Sequence, residues 1–397
     1  MSGPLSKLKV LDLSTLLPGP YASMLMADMG ADILRIEAIG RHDLVKSFQP
    51  SHNGSSYSFL TLNRNKKAIA LDLKQSSAVD LVKKLISEYD VVLEQFRPGV
   101  MAKLGLDYDT LKAINPKLIY CSITGYGQDG CYKDRAGHDI NYLALSGLSS
   151  FSGTEKSGPV LSGTQIADIA GGSHHAVMAI LAAVIERGST GLGQHLDISM
   201  TDAAFALTGM FGAGGVGADV DPTLGGTVLN GGHFYDYYQT QDGRYLSVGS
   251  LEPKFAQLFF SNIGHIEWLD RSNSSNAKQQ QSLKADIAGV IAEQPLAYWD
   301  QMFTVLDACV EPVLTVSEAA KSQLMVDRNM VVNVRTVTGD SVKQIAPAIK
   351  FKSNNAADNE NDMYVSEPNE NDTKALLTEF GYNQQDINDM LAAKAIK

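Results

Sequence analysis

The chain has 397 residues, 44% of them hydrophobic and 19% charged, which fits a folded globular protein rather than a disordered one. Lys and Arg number 33 against 44 Asp and Glu, a net charge of −11, and this argues against a surface built for nucleic acid or anionic membrane. The length allows about two or three domains at ~150 residues each. Three cysteines, Cys121, Cys131 and Cys309, lie far apart with no Cys-x-x-Cys pair. They suit a reducing compartment and supply neither a disulfide framework nor a thiolate metal site. No targeting segment is evident: Asp12 and Pro18 interrupt the apolar start, no run approaches the ~20 apolar residues of a spanning helix, and Ala395-Ile396-Lys397 is not a peroxisomal address. A cytoplasmic protein is expected.

In chain order, Lys9 to Leu13 reads as a short apolar strand. Pro18-Gly19-Pro20 breaks it, and Tyr21 to Met29 reads as a helix with Pro20 near its first turn. Asp32 to Glu37 is the next strand. Ser76 to Tyr89 is amphipathic, with Val79, Val82, Leu85 and Ile86 on one face. Asp90 to Glu94 is a strand, Tyr108 to Ile114 a short helix, and Leu118 to Ile123 another strand. This alternation implies a doubly wound, mostly parallel α/β sheet of Rossmann-like kind.

A long apolar helix is expected from Asp168 to Arg187, then a polar turn and a strand from His195 to Met200. Gly209 to Gly232 is glycine-heavy and reads as a long connection. Phe234 to Gln239 and Arg244 to Ser250 flank Gln241-Asp242-Gly243, a hairpin signal. The expected organisation is a large domain of residues 1–208 and 331–397, a linker at 209–232, and a smaller α+β domain at 233–330. Ser353 to Thr373 is rich in Asn and acid and reads as surface. Lys374 to Phe380 and Gln384 to Lys394 read as closing helices.

Three places can carry chemistry. Gly137-His138-Asp139-Ile140-Asn141-Tyr142 looks like a loop entering a helix, where backbone N–H groups can stabilise an oxyanion and His138 can act as a base. From spacing alone the plainer reading is a helix start capped by Asp139 beside a surface histidine, since most helix starts are only starts. Asp168, among small residues at the head of the long helix, is either a cap or a functional carboxylate. Glu252 ends a strand where a helix begins, a position that also serves the helix dipole. His174 and His175 read as packing or surface residues. No His, Cys and carboxylate set has metal-ligand spacing, so no metal is expected. Pro18-Gly19-Pro20 lacks the Gly-x-Gly-x-x-Gly fingerprint, and there is no Gly-Lys-Ser/Thr. The loop charges Arg64, Lys66, Lys67, Lys74, Arg97 and Lys103 read individually as solvated surface.

As a whole the sequence resembles the class III coenzyme A transferase (CaiB/BaiF) superfamily. The resemblance rests on Leu11-Asp12-Leu13-Ser14 through Pro18-Gly19-Pro20-Tyr21, Ala27-Asp28-Met29-Gly30-Ala31-Asp32, Asn63-Arg64-Asn65-Lys66-Lys67, Phe96-Arg97-Pro98-Gly99, Leu104-Gly105-Leu106 and Thr124-Gly125-Tyr126-Gly127. It spans nearly the whole chain. Gly137 to Tyr142, Asp307-Ala308-Cys309-Val310 and Pro312-Val313-Leu314 resemble the α-methylacyl-CoA racemase branch; transferase members usually carry an aromatic residue where His138 stands.

That resemblance implies an isomerase of lipid and fatty-acid metabolism, acting on 2-methylacyl-CoA thioesters through an enolate. His138 and Asp168 would be its acid/base pair, with Glu252 orienting or assisting His138. No prosthetic group is implied, only the CoA moiety of the substrate. Leu71, Asp72, Leu73 and Lys74 would meet its adenosine end. Gln95, Phe96, Arg97, Pro98, Gly99 and Lys103 would lie near its phosphates. Gly137, His138, Asp139, Ile140, Asn141 and Tyr142 would border the thioester. The racemases carry an arginine where this chain has Ala38, and Arg41 is the expected substitute. The family also implies an intertwined homodimer. The alternatives are CoA transfer between carboxylic acids through an Asp168 acyl anhydride, and a non-catalytic acyl-CoA-binding protein.

The charge balance is uneven. Residues 1–105 carry 13 basic and 10 acidic side chains, a balance of +3, which leaves −14 on the rest. The expected CoA contacts fall mostly in the mildly basic part.

Overall fold

The computed structural model describes residues 3–352 and 363–397. The described residues form two compact units, one from Met1–Leu143, Gly163–Ala206 and Leu324–Lys397, the other from Ala144–Ser162 and Leu207–Gln323. Residues 144–162 therefore group with the second unit, and residues 324–330 with the first, unlike the division read from sequence.

The first unit is built on one sheet of six parallel strands. These are β1 (Lys9–Asp12), β2 (Asp32–Ala38), β3 (Lys66–Leu71), β4 (Val91–Glu94), β5 (Ile119–Thr124) and β6 (His195–Ser199). Their spatial order is β6-β5-β4-β1-β2-β3, the doubly wound order, with a reversal between β1 and β4. Alternate residues face opposite layers. Leu11, Leu34, Val92 and Tyr120 pack with helix Ser76–Leu85 and with the C-terminal helices Glu370–Glu379 and Gln384–Ala392. Val10, Ile33, Val91 and Ile119 pack with helices Pro18–Asp28 and His175–Thr190. Both faces are covered, so the strands are apolar throughout rather than alternating.

Strand β3 was not expected, because Lys66-Lys67 opens it. Lys66 is fully buried and its ammonium lies 2.9 Å from the Pro20 carbonyl and 3.5 Å from Asp12. Burial pulls the Lys66 pKa down to about 8, against the opposing pull of Asp12. Arg64 is also buried and grips Asp28 through two bonds of 2.9 and 2.6 Å. These two basic residues are internal ion pairs, not the solvated surface charges that their local sequence suggested.

The long apolar helix has two parts. Ala167–His174 is a π-helical turn and His175–Thr190 is regular. Together they make 24 residues, long and apolar enough by composition to cross a membrane. Counting uninterrupted apolar residues missed this. Ala176, Val177, Ile180 and Ala183 on the helix are buried in the core against the sheet, and a core helix passes the same test of length and composition.

In the second unit β7 (Asp236–Gln239) and β8 (Tyr245–Val248) form the expected antiparallel hairpin, and β9 (Val310–Pro312) adds to β8. Helices Pro253–Asn262, Ala277–Ile291 and Leu296–Phe303 cover a core that includes Phe234, Phe259, Phe260, Trp299 and Phe303. The glycine-rich stretch is not all connection, since it holds a short helix, Ala213–Ala218. Back in the first unit, β10 (Val331–Arg335) and β11 (Ser341–Ile345) pair as a hairpin. Of the acidic stretch read as surface, 353–362 lie outside the described residues, while Met363 and Val365 are buried against that hairpin.

Candidate active site

A doubly wound sheet leaves a crevice beyond the C-terminal ends of its strands, where the order reverses. Here the reversal separates the segments after β1 and β4, and a cleft of about 830 Å³ opens there. Leu13 to Pro18 follow β1, and Gln95 to Pro98 follow β4; both line the cleft. Gln95 ties them together. Its side-chain oxygen accepts from the Gly19 N–H at 2.9 Å and its amide donates to the Thr15 carbonyl at 2.5 Å. Gly19 leaves room for this: a Cβ there would lie 2.2 Å from the Ser14 Cβ.

His138, Asn141, Tyr142 and Asp168 line the same cleft. His138 is exposed and precedes helix Asp139–Leu145. Its carbonyl accepts from Asn141 N–H at 2.8 Å, and its own N–H donates to the Asn141 side chain at 3.0 Å. This reciprocal pair fixes the backbone that carries the imidazole. Tyr142 O–H donates to the Gly137 carbonyl at 2.6 Å, and burial, then the Asp168 charge, push its pKa up to about 12. It stays a neutral phenol.

Asp168 is not a helix cap. It lies in the first turn of the π-helical segment, a geometry common at functional sites. Gly171 and Gly172 let that segment press close, since a Cβ on Gly172 would lie 3.1 Å from Pro18 and 3.2 Å from Ile123. Asp139 stands in the first turn of its own helix, and its carboxylate accepts from the Asp168 backbone N–H at 3.1 Å. The Asp168 carboxyl is pushed up to about 6, first by burial and then by the Asp139 charge, while His138 pulls the other way. A carboxyl poised there can donate or accept a proton near neutrality.

Of the residues expected at the CoA moiety, Arg41, Leu71, Leu73, Gln95, Phe96, Arg97 and Pro98 line the cleft. Asp72, Lys74, Lys103, Asp139 and Ile140 do not. Asp72 instead receives the Lys74 N–H at 3.1 Å, shaping a turn, and Gly99 lines a smaller neighbouring cavity. Ala38 lines the cleft, and Arg41, the expected substitute for an arginine there, lines it three residues on. Sequence reasoning missed Arg35, His42, Lys133 and Arg135, which also line it. Lys133 and Arg135 stand just before Gly137, and that proximity was the available signal. Arg35 is neutralised by an ion pair with Glu37. Glu252 lies exposed in the second unit, before helix Pro253–Asn262, with no side-chain capping bond.

Comparison with known proteins agrees with this geometry. The model of CoA-transferase family III matches residues 5–362. The chain is 34% identical to the α-methylacyl-CoA racemase of Mus musculus, covering 96% of this chain and 94% of that protein. It is 30% identical to the succinyl-CoA:glutarate CoA-transferase of Mus musculus, over 88% of this chain and 80% of that one. A crystal structure of a CaiB/BaiF family protein from Brucella suis superposes with a TM-score of 0.83 at 28% identity, covering 96% of this chain and all of the other. A doubly wound sheet with its cleft at the reversal, matched along almost its entire length, makes this chain a member of CoA-transferase family III.

Proposed function

We propose that the protein racemises 2-methylacyl-CoA thioesters by 1,1-proton transfer. The observation that carries this reading is the presence of two acid/base groups, His138 and Asp168, on one cleft, with Asp168 poised at about 6. Inverting a carbon needs one group to remove the α-proton and another to return a proton on the opposite face. Asp168 alone would be enough for a transferase. With substrate bound, the thioester carbonyl lies near Gly137 to Tyr142, and the N–H groups at the helix start near Asp139 stabilise the enolate oxygen. Arg97 and Arg41, helped by Lys133 and Arg135, hold the CoA phosphates.

The catalytic unit is proposed to be a homodimer. Large apolar side chains that the single chain leaves exposed, Leu161, Ile185, Met210 and Val216 among them, support this. Sedimentation at two concentrations tests it.

The second reading, CoA transfer through an Asp168 acyl anhydride, is favoured by one observation: a chain 30% identical over most of its length is a CoA-transferase. A single assay separates the two. In deuterium oxide with a 2-methylacyl-CoA and no acceptor acid, a racemase exchanges the α-proton. No exchange, together with conversion of an added carboxylate to its thioester, would establish transfer instead.

A further inference from the structure

Beside the cleft lies a second, smaller cavity of about 180 Å³, lined in part by Glu94, Ser122, Gln128 and His195. Arg97 lines both cavities. Glu94 is the last residue of β4, only 3% exposed, and it directly precedes the Gln95–Gly99 loop. Its carboxylate accepts from the Phe96 backbone N–H at 2.7 Å, and Ser122 stands beside it on β5, where its hydroxyl favours the ionised carboxylate. Ser122 Oγ in turn lies 3.0 Å from Nε2 of His195. The register places Glu94 beside Ser122 and Ser122 beside Asp197 across β4, β5 and β6, and His195, two residues before Asp197 on β6, lies on the same face of the sheet. His195 stacks on Tyr108, with ring centroids 5.4 Å apart, and meets Tyr120 edge-on at 5.2 Å.

We propose that Glu94 is a positioning residue for the CoA-binding loop, and that the protonation state of the Glu94–Ser122–His195 row sets how firmly that loop presents Arg97 to the phosphates. The proposal rests on the CoA-thioester reading above. When Glu94 is ionised, every donor points toward it: His195 to Ser122, Ser122 to Glu94, and Phe96 N–H to Glu94. The bond to Phe96 is then charge-assisted and about twice as strong as a neutral one. When Glu94 takes up a proton, it donates to Ser122, the row reverses, and Ser122 donates to a neutral His195. The Phe96 bond loses its charge and the loop its firm anchor.

The surroundings set this equilibrium near neutrality. Burial raises the Glu94 carboxyl to about 7, against the lowering effect of its bonds to Ser122 and Phe96; Asp197 on β6 adds to the rise. Burial lowers the His195 pKa, against the opposing pull of Asp197 and Asp109, and so favours its neutral form in the row. The other charged or titratable groups around the cavity are Asp107, whose carboxylate is held down by bonds from Thr110, Tyr108, which stacks on His195, Tyr120, which burial keeps protonated, Asp109, whose charge acts on His195, and Arg97 itself.

The test measures calorimetric affinity for free CoA from pH 5.5 to 8.5, in the full-length protein and in Glu94→Gln and Glu94→Ala. Titration of the CoA phosphate is common to all three proteins and cancels in their ratio. The wild-type protein should bind at least ~5-fold more tightly than Glu94→Gln at pH 8.5 and equally at pH 5.5. Glu94→Ala, with no acceptor for Phe96, should be weaker than Glu94→Gln throughout. Nitrogen NMR should show His195 held as the Nδ1–H tautomer in Glu94→Gln, because the amide donates to Ser122. A wild-type to Glu94→Gln ratio that stays flat with pH overturns the proposal. So does tighter binding by Glu94→Gln at high pH, which would mean that the carboxylate merely repels phosphate. A wild-type protein that binds no CoA at any pH removes the CoA reading and the proposal with it. CoA binding that ignores Glu94 removes only the proposal.

Discussion

Asp168 shows how one residue acquires its chemistry from its neighbours. A carboxyl that ionises near 3.8 in water is held to about 6 by burial and by Asp139. The folded state therefore disfavours the ionised form. The resulting cost is absent below pH 4, grows as pH rises toward 6, and is complete above that. Relative to the wild type, Asp168→Asn should be no more stable at pH 4 and more stable at pH 8. The gain should be on the order of 1 kcal/mol after allowing for the solvent that still reaches the group. Denaturant melts at the two pH values check it, and equal shifts at both would remove burial as the cause. A second prediction separates the two bases. With Asp168→Asn, His138 remains on one face of the α-carbon, so one enantiomer should still exchange its α-proton in deuterium oxide with retention. Racemisation should fall by at least ~10²-fold. His138→Ala should show the mirror preference. Loss of exchange from both enantiomers in either variant would contradict a two-base site.

At the level of elements, the cleft depends on close packing that leaves no room for a side chain at Gly137. A Cβ at Gly137 would lie 2.6 Å from the Tyr142 ring and 2.7 Å from the Tyr126 hydroxyl. Tyr142 bonds the Gly137 carbonyl and meets Tyr126 edge-on, with centroids 5.2 Å apart, so neither ring can yield without moving His138. Gly137→Ala should therefore lower kcat by ~10-fold or more while CoA affinity, which we propose the loop after β4 carries, changes little. Steady-state kinetics with a binding titration would show it, and a loss confined to affinity would place the motif elsewhere. Apolar strands and glycine punctuation made β1, β2, β4, β5 and β6 legible in the sequence. They did not reveal β3, because Lys66 finds its partner, Asp12, 54 residues away, where no local pattern can point. The π-helical turn has no periodic signature of its own. Lys133 and Arg135 are single charges in a loop until the fold turns them toward the cleft. Glu94 read only as the end of a strand, since its partners Ser122 and His195 come from two other strands.

The whole molecule poses a problem of sign. It carries −11, and its proposed substrate is itself a polyanion. If the summed charge governed the encounter, added salt would screen a repulsion, and KM would fall as ionic strength rose. Local geometry argues for the opposite. Arg41, Arg97, Lys133 and Arg135 all line one cleft, and residues 1–105 carry a balance of +3. At ~0.1 M salt the screening length is ~10 Å, so a bound phosphate responds to this lining and hardly to the acidic remainder. Clefts with low-dielectric walls focus such a field further. KM for an acyl-CoA should therefore rise, roughly 5- to 20-fold, as salt increases from ~0.05 to ~0.5 M. Arg97→Ala should start from a higher KM and respond less steeply, because one of the charges being screened is gone. A KM that falls with salt would mean that the net charge prevails over the cleft, and the arginines would lose their proposed role.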